Sequence, residues 1–174
     1  AALTVSACGG GSSSSGSALS KVDATKLSGD EKTAYDEVLK SMSQDEDNLG
    51  TTEEQQACVA ANLVKKAGVK GTLTIAEKDG ENLTKAEAGQ VVDSMTACVD
   101  LTELFVQGMA DGTQLSDSSA KCLKKEFDAT KLRDFMVTAL MAGGDTEPPA
   151  DFLADAMKAM TKCLSNEELA GLGS

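Results

Sequence analysis

Met95-Thr96-Ala97-Cys98-Val99-Asp100-Leu101-Thr102-Glu103-Leu104 is answered 65 residues later by Met160-Thr161-Lys162-Cys163-Leu164-Ser165-Asn166-Glu167-Glu168-Leu169. In both stretches a Met precedes the cysteine by one helical turn, and a leucine closes the run. Working outward, each later cysteine has an earlier companion at nearly the same distance: Cys58 lies 40 residues before Cys98, and Cys122 lies 41 before Cys163. The second pair is the first one copied, at an offset of 64 to 65 residues. Four cysteines allow three pairings in general. A duplicated unit most simply closes its own bond, which predicts Cys58 with Cys98 and Cys122 with Cys163. Each bond would close a loop of about 40 residues, stabilising the fold by about 4 kcal/mol in the chain-entropy account, less any strain.

The elements around these cysteines read as helices. A start is marked where a Ser or Thr precedes an acid or amide by three positions, so that hydroxyl and carboxylate satisfy free backbone N–H groups. Ser28 with Glu31, Thr52 with Gln55, Thr84 with Glu87 and Ser165 with Glu168 fit, and Ser116 marks a start without the acid. After Thr84, Ala88, Val91, Val92, Met95, Cys98, Val99, Phe105 and Met109 fall at helical spacing, predicting one long helix over about 85–110. Phe152, Leu153, Ala156, Met157, Met160 and Cys163 repeat the stripe after Pro148-Pro149. Further helices are expected over about 28–43, 53–67, 117–126 and 129–142, with Gly68 and Gly143-Gly144 as stops. Val69 to Asn82 reads as irregular, with Thr72-Leu73-Thr74-Ile75 extended and Asp79-Gly80 a turn.

The fold class that follows is all-α: a compact bundle of about six to seven helices built from a duplicated, disulfide-stapled helical unit. Composition agrees, because only 3% of the 174 residues are aromatic and Trp is absent. Ala, Leu, Val and seven Met must fill the core, which suits close-packed helices better than a sheet sandwich. The chain divides into residues 1–7, 8–20 and one helical domain over 21–174, the last comprising a leading helix (21–50), unit one (51–112) and unit two (113–174). With a net charge of −12 and sixteen dispersed cations, the surface repels phosphate backbones, and nucleic acid is excluded as a partner class.

Val5-Ser6-Ala7-Cys8 places an apolar residue and two small ones before a cysteine, and Gly9 to Ser17 is Gly/Ser only. The first motif resembles the cleavage and lipidation signal of bacterial lipoproteins. The second has the composition of a flexible tether. The resemblance implies that residues 1–7 are the remnant of a signal peptide and that Cys8 is lipidated, which holds the protein extracytoplasmically on the cell membrane. Two acyl chains on one residue anchor stably where one is marginal. The pattern of Leu-Ser or Leu-Thr helix starts with one cysteine per helix in a duplicated pair also resembles small uncharacterised secreted proteins and lipoproteins of actinobacteria, loosely over residues 50–170. That group brings no activity with it.

Chemistry is sparse. His is absent, which excludes every Ser-His-Asp or Cys-His scheme. No cysteines have the short spacing of a zinc knuckle or a Cys-x-x-Cys redox pair. Asp45, Asp47 and Gly50 fall at positions one, three and six of a calcium loop, but Leu49 and Gln56 occupy positions that need oxygen ligands, so a solvated turn is expected. No cofactor and no catalytic residue is assigned. The function expected is non-enzymatic: a membrane-anchored surface lipoprotein with a helical interaction domain for an envelope partner. The alternative is a carrier of a small apolar ligand or lipid between the helices near Met95, Met109, Met136 and Met157.

Overall fold

The computed structural model describes residues 24–44, 51–78, 82–111, 115–142 and 147–171. Among them the chain is all-helical. A 3-10 turn at Ala24–Lys26 leads into α1 (Asp30–Gln44), followed by α2 (Glu53–Glu77), α3 (Lys85–Thr96) and α4 (Leu101–Asp111). Unit two contributes α5 (Asp117–Glu126), α6 (Ala129–Met141), α7 (Ala150–Cys163) and α8 (Asn166–Gly171). These are eight α-helices, and three local facts separate them from the sequence reading.

First, the stretch read as one helix over about 85–110 is two. Val99 N–H closes the last turn of α3 on the Met95 carbonyl at 2.8 Å. Asp100 then starts a new helix by accepting from Thr102 N–H at 3.0 Å and Glu103 N–H at 3.2 Å. An Asp offers the backbone a cap as an alternative to continuing the ladder, and the apolar periodicity runs through the break without registering it. Second, residues 69–77, read as irregular, are helical. Gly68 adopts φ 69°, ψ 171° inside α2, so it breaks the helix as expected, but the helix resumes at once. Burial outweighs the low helix propensity of Thr72 and Ile75: they are 0% and 6% exposed, and the Thr72 hydroxyl donates to the Leu63 carbonyl. Third, the first helix begins at Asp30, two residues later than Ser28. Gly29 turns the chain with φ 54°, while the Glu31 carboxylate still receives the Ser28 backbone N–H.

The other marked starts form as full capping boxes at Thr52–Gln55 and Thr84–Glu87, and at Ser165–Glu168. α2 packs between α1 and α3, α3 packs on α6, α4 on α5 and α6, and α7 on α5 and α6. Buried side chains gather into two clusters. The larger spans α1 to α3 and takes in Leu132, Val137 and Phe152 from unit two. The smaller holds Val106, Leu123, Phe127, Ala156, Ala159 and Leu164. All four Phe of the chain join the two: Phe127 meets Phe105 edge-on at 5.1 Å, Phe105 meets Phe152 at 6.0 Å, and Phe152 stacks on Phe135 at 4.8 Å.

Candidate functional site

The sequence singled out five cysteines. Cys8, Val5 to Ala7 and the Gly/Ser segment lie outside the described residues, as does the acidic turn around Asp45 and Asp47. Cys58, in the second turn of α2, is bonded to Cys98, just beyond the end of α3, with Cα atoms 5.8 Å apart. Cys122, in α5, is bonded to Cys163, the last residue of α7, with Cα atoms 5.5 Å apart. Both bonds close within their own unit, and all four cysteines are half-buried. Two such bonds mark a chain that matures in an oxidising, extracytoplasmic compartment.

The bonds differ in their surroundings. Asn62, one turn after Cys58 and 5% exposed, donates from Nδ2 to the Cys58 carbonyl at 3.0 Å. The same amide nitrogen stands 3.3 Å from Cys98 Sγ and 3.6 Å from Cys58 Sγ. At the corresponding place in unit two stands Glu126, bound by Lys162 Nζ at 2.7 Å. That contact, led by the lysine hydrogen bond, lowers the Glu126 carboxyl below its ordinary value.

A second junction joins the starts of α5 and α8. Ser116 marks a start without an acid of its own, and the acid arrives from another helix. Glu168 accepts the Ser116 backbone N–H on Oε1 at 2.8 Å, and the Ser165 N–H and the Ser119 hydroxyl on Oε2 at 2.8 and 3.0 Å. One carboxylate thus completes two capping boxes 49 residues apart in sequence at its Ser119 contact. The Ser116 and Ser165 N–H groups hold its pKa down at about 2. An open cleft of about 720 Å³ lies over this junction. The Ser119–Glu168 contact resembles a nucleophile beside a base, but a general base at neutral pH needs a pKa near 7. A carboxylate held at about 2 by cap donors serves architecture.

The third feature is the outer surface of α7. Phe152, Ala156 and Ala159 bury the inner face at 6%, 7% and 3% exposure. Leu153 and Met157, one turn apart and therefore neighbours on the helix, are 43% and 64% exposed. Asp155 pairs with Lys131 of α6 along one side; this contact, through its hydrogen bond, lowers the Asp155 pKa and raises that of Lys131. A shallow cleft of about 260 Å³ lies there, floored by Phe127, Phe152, Ala156 and Ala159 and rimmed by Glu126, Asp128, Lys131, Asp155 and Lys158.

The four methionines of the carrier reading do not fall in one cluster among the described residues. Met95 and Met136 belong to the larger cluster, Met109 packs on the smaller, and Met157 faces outward. No group of three or more Cys, Asp or Glu is disposed to hold a metal among the described residues. No helix among them is long and apolar enough to cross a membrane. Asn62 and the two-helix role of Glu168 were absent from the sequence reading; Leu153 and Met157, read there as part of the apolar stripe, instead turn outward, since both fall off the Phe152–Ala156–Ala159 line. No protein-family model, curated protein or solved structure matches the chain.

Proposed function

We propose that this chain is a non-enzymatic surface lipoprotein, held on the outer face of a cell membrane through a lipid on Cys8, whose helical domain binds another envelope protein through the exposed face of α7. The anchor rests on Val5-Ser6-Ala7-Cys8 followed directly by the Gly/Ser segment. Two extracytoplasmic staples are consistent with it. The observation that carries the binding role is the adjacency of Leu153 and Met157, 43% and 64% exposed, on a helix that buries Phe152, Ala156 and Ala159 on its inner face. An apolar pair standing clear on an otherwise polar outer surface suits a helix or strand of a partner protein.

Two measurements test the two halves separately. Intact mass of membrane-extracted native protein, before and after reduction, is expected to show cleavage before Cys8, an added diacylglycerol and four thiols released only by reduction. An unlipidated chain overturns the anchor. A photo-cross-linking residue at position 157, in native membranes, is expected to yield one discrete heterologous adduct that a label at exposed Lys85 does not give. Equal or absent labelling from the two positions removes the binding face and leaves the anchor standing.

A further inference from the structure

The two disulfides occupy corresponding places and all four cysteines are half-buried; Cys163 borders the open cleft over the α5–α8 junction, and the polar side chain one turn after the first cysteine differs between the two. In unit one, the Asn62 amide is buried at 5% exposure and gives one proton to the Cys58 carbonyl. Its NH2 end is the one that faces this carbonyl, since the amide oxygen there would meet a second acceptor. The remaining proton is left to the sulfurs, nearest to Cys98 Sγ at 3.3 Å. A disulfide sulfur is a poor acceptor, so this buried proton is weakly satisfied while the bond is intact. A thiolate in the same place is a strong acceptor, and charge-assisted hydrogen bonds are about twice as strong as neutral ones. Asn62 therefore interacts more favourably with the reduced pair than with the oxidised one. In unit two the corresponding Glu126 is an ionised carboxylate already held by Lys162, with no proton to give.

We propose that Cys58–Cys98 is a thiol-exchange site, opened by an external dithiol with Cys98 as the leaving thiolate, and that Cys122–Cys163 is a permanent staple. The incoming thiolate attacks Cys58 Sγ and forms a mixed disulfide. The Cys58–Cys98 bond breaks, and its electron pair passes to Cys98 Sγ beside the Asn62 N–H. The second thiol of the donor, as thiolate, then attacks its own sulfur in the mixed disulfide and expels Cys58 as a thiolate. The donor leaves as a disulfide and the protein has gained two electrons. Release of this bond removes the covalent tie between α2 and the α3–α4 junction, while the α5–α7 link stays closed. The redox partner is thus a dithiol reductant of the compartment, and the responsive half of the molecule is unit one.

The test uses the full chain with Cys8→Ser, so that its thiol cannot enter the exchange. The folded protein is pulsed with dithiothreitol at neutral pH, quenched by alkylation, and each bond is followed by peptide mass. Cys58–Cys98 is expected to open faster than Cys122–Cys163 by roughly fivefold to tenfold, the effect of one charge-assisted hydrogen bond on the leaving thiolate. Asn62→Leu should slow its opening toward that of the second bond and move the pH midpoint of Cys98 alkylation upward in the singly reduced protein. If Asn62 only supported packing, its loss would loosen α2 and speed the opening. Asn62→Ala provides the same comparison should Leu at this packed position prevent folding. Equal rates for the two bonds, first opening at Cys122–Cys163, or faster reduction in the Asn62 variants would each overturn the proposal.

Discussion

Glu168 is one carboxylate serving two helix starts, and its titration ties α5 to α8. Its ordinary value is 4.5, and in the fold the Ser116 and Ser165 N–H groups and the Ser165 hydroxyl hold it at about 2. A folded pKa below the unfolded one means that the unfolded chain binds the proton more readily. Its stabilising contribution is therefore complete above about pH 4.5 and is lost as pH falls toward 2. Glu87 follows the same course for a different leading reason: Lys78 Nζ at 2.6 Å, aided by the Thr84 cap, holds it at about 2. The two acids together predict a fall in thermal stability over this window, with α8 released from α5 as Glu168 protonates. Glu168→Gln keeps the shape but supplies one acceptor oxygen where two are used. Its melting temperature at pH 7 should drop by about 2–5 °C, and its stability should decline less than that of the parent between pH 4.5 and 2. A variant with an acid response as steep as the parent's would show that Glu168 is not the titrating cap.

Gly68 shows how an element is decided by one backbone angle. At φ 69° and ψ 171° it occupies a region that L side chains avoid, and a Cβ there would meet nothing within 4 Å. Any penalty for Gly68→Ala is therefore backbone strain, not crowding. The substitution should cost about 1–3 kcal/mol in urea unfolding, with the loss confined to folds that keep the kink. An unchanged midpoint would mean that α2 straightens freely and that packing of residues 69–77 does not depend on the kink. This position also marks what was legible in the sequence. Capping boxes and Pro148-Pro149 located the starts of α2, α3 and α7 because they are local signals, each written within four residues. Gly68 was legible as a stop, but the helix beyond it was not, since Thr72 and Ile75 gain their helicity from burial against other elements. Asp100 ended one helix and began another without interrupting the apolar stripe, so periodicity read through it. The candidate sites fared alike. Cysteine spacing is a one-dimensional pattern and survives reading. The proton of Asn62 beside Cys98, 36 residues away in sequence, and the reach of Glu168 to Ser116 exist only once the helices are packed.

At the scale of the molecule, neither disulfide joins the two units, because each closes within its own. The units are held together by α3 on α6 and by α4 on α5 and α6. The aromatic run Phe127–Phe105–Phe152–Phe135 passes through that seam. Phe105 is the only member touching both Phe127 of the smaller cluster and Phe152 of the larger one among the described aromatic contacts. In a core with so few large side chains, a single ring carries much of the coupling. Phe105→Ala should therefore do two things. It should destabilise the fold by roughly 2–4 kcal/mol, the range for removing a large packed side chain. It should also separate the unfolding of the two clusters, since each keeps its remaining buried side chains and a disulfide beside it. The single tyrosine, Tyr35, lies on α1 in the larger cluster, so its fluorescence follows that cluster, whereas far-ultraviolet circular dichroism follows every helix. In the parent the two signals should fall together; in Phe105→Ala they should part, as independent transitions do. Coincident curves in the variant, shifted but superimposable, would place the coupling in the helix–helix seam as a whole and take it away from the aromatic run.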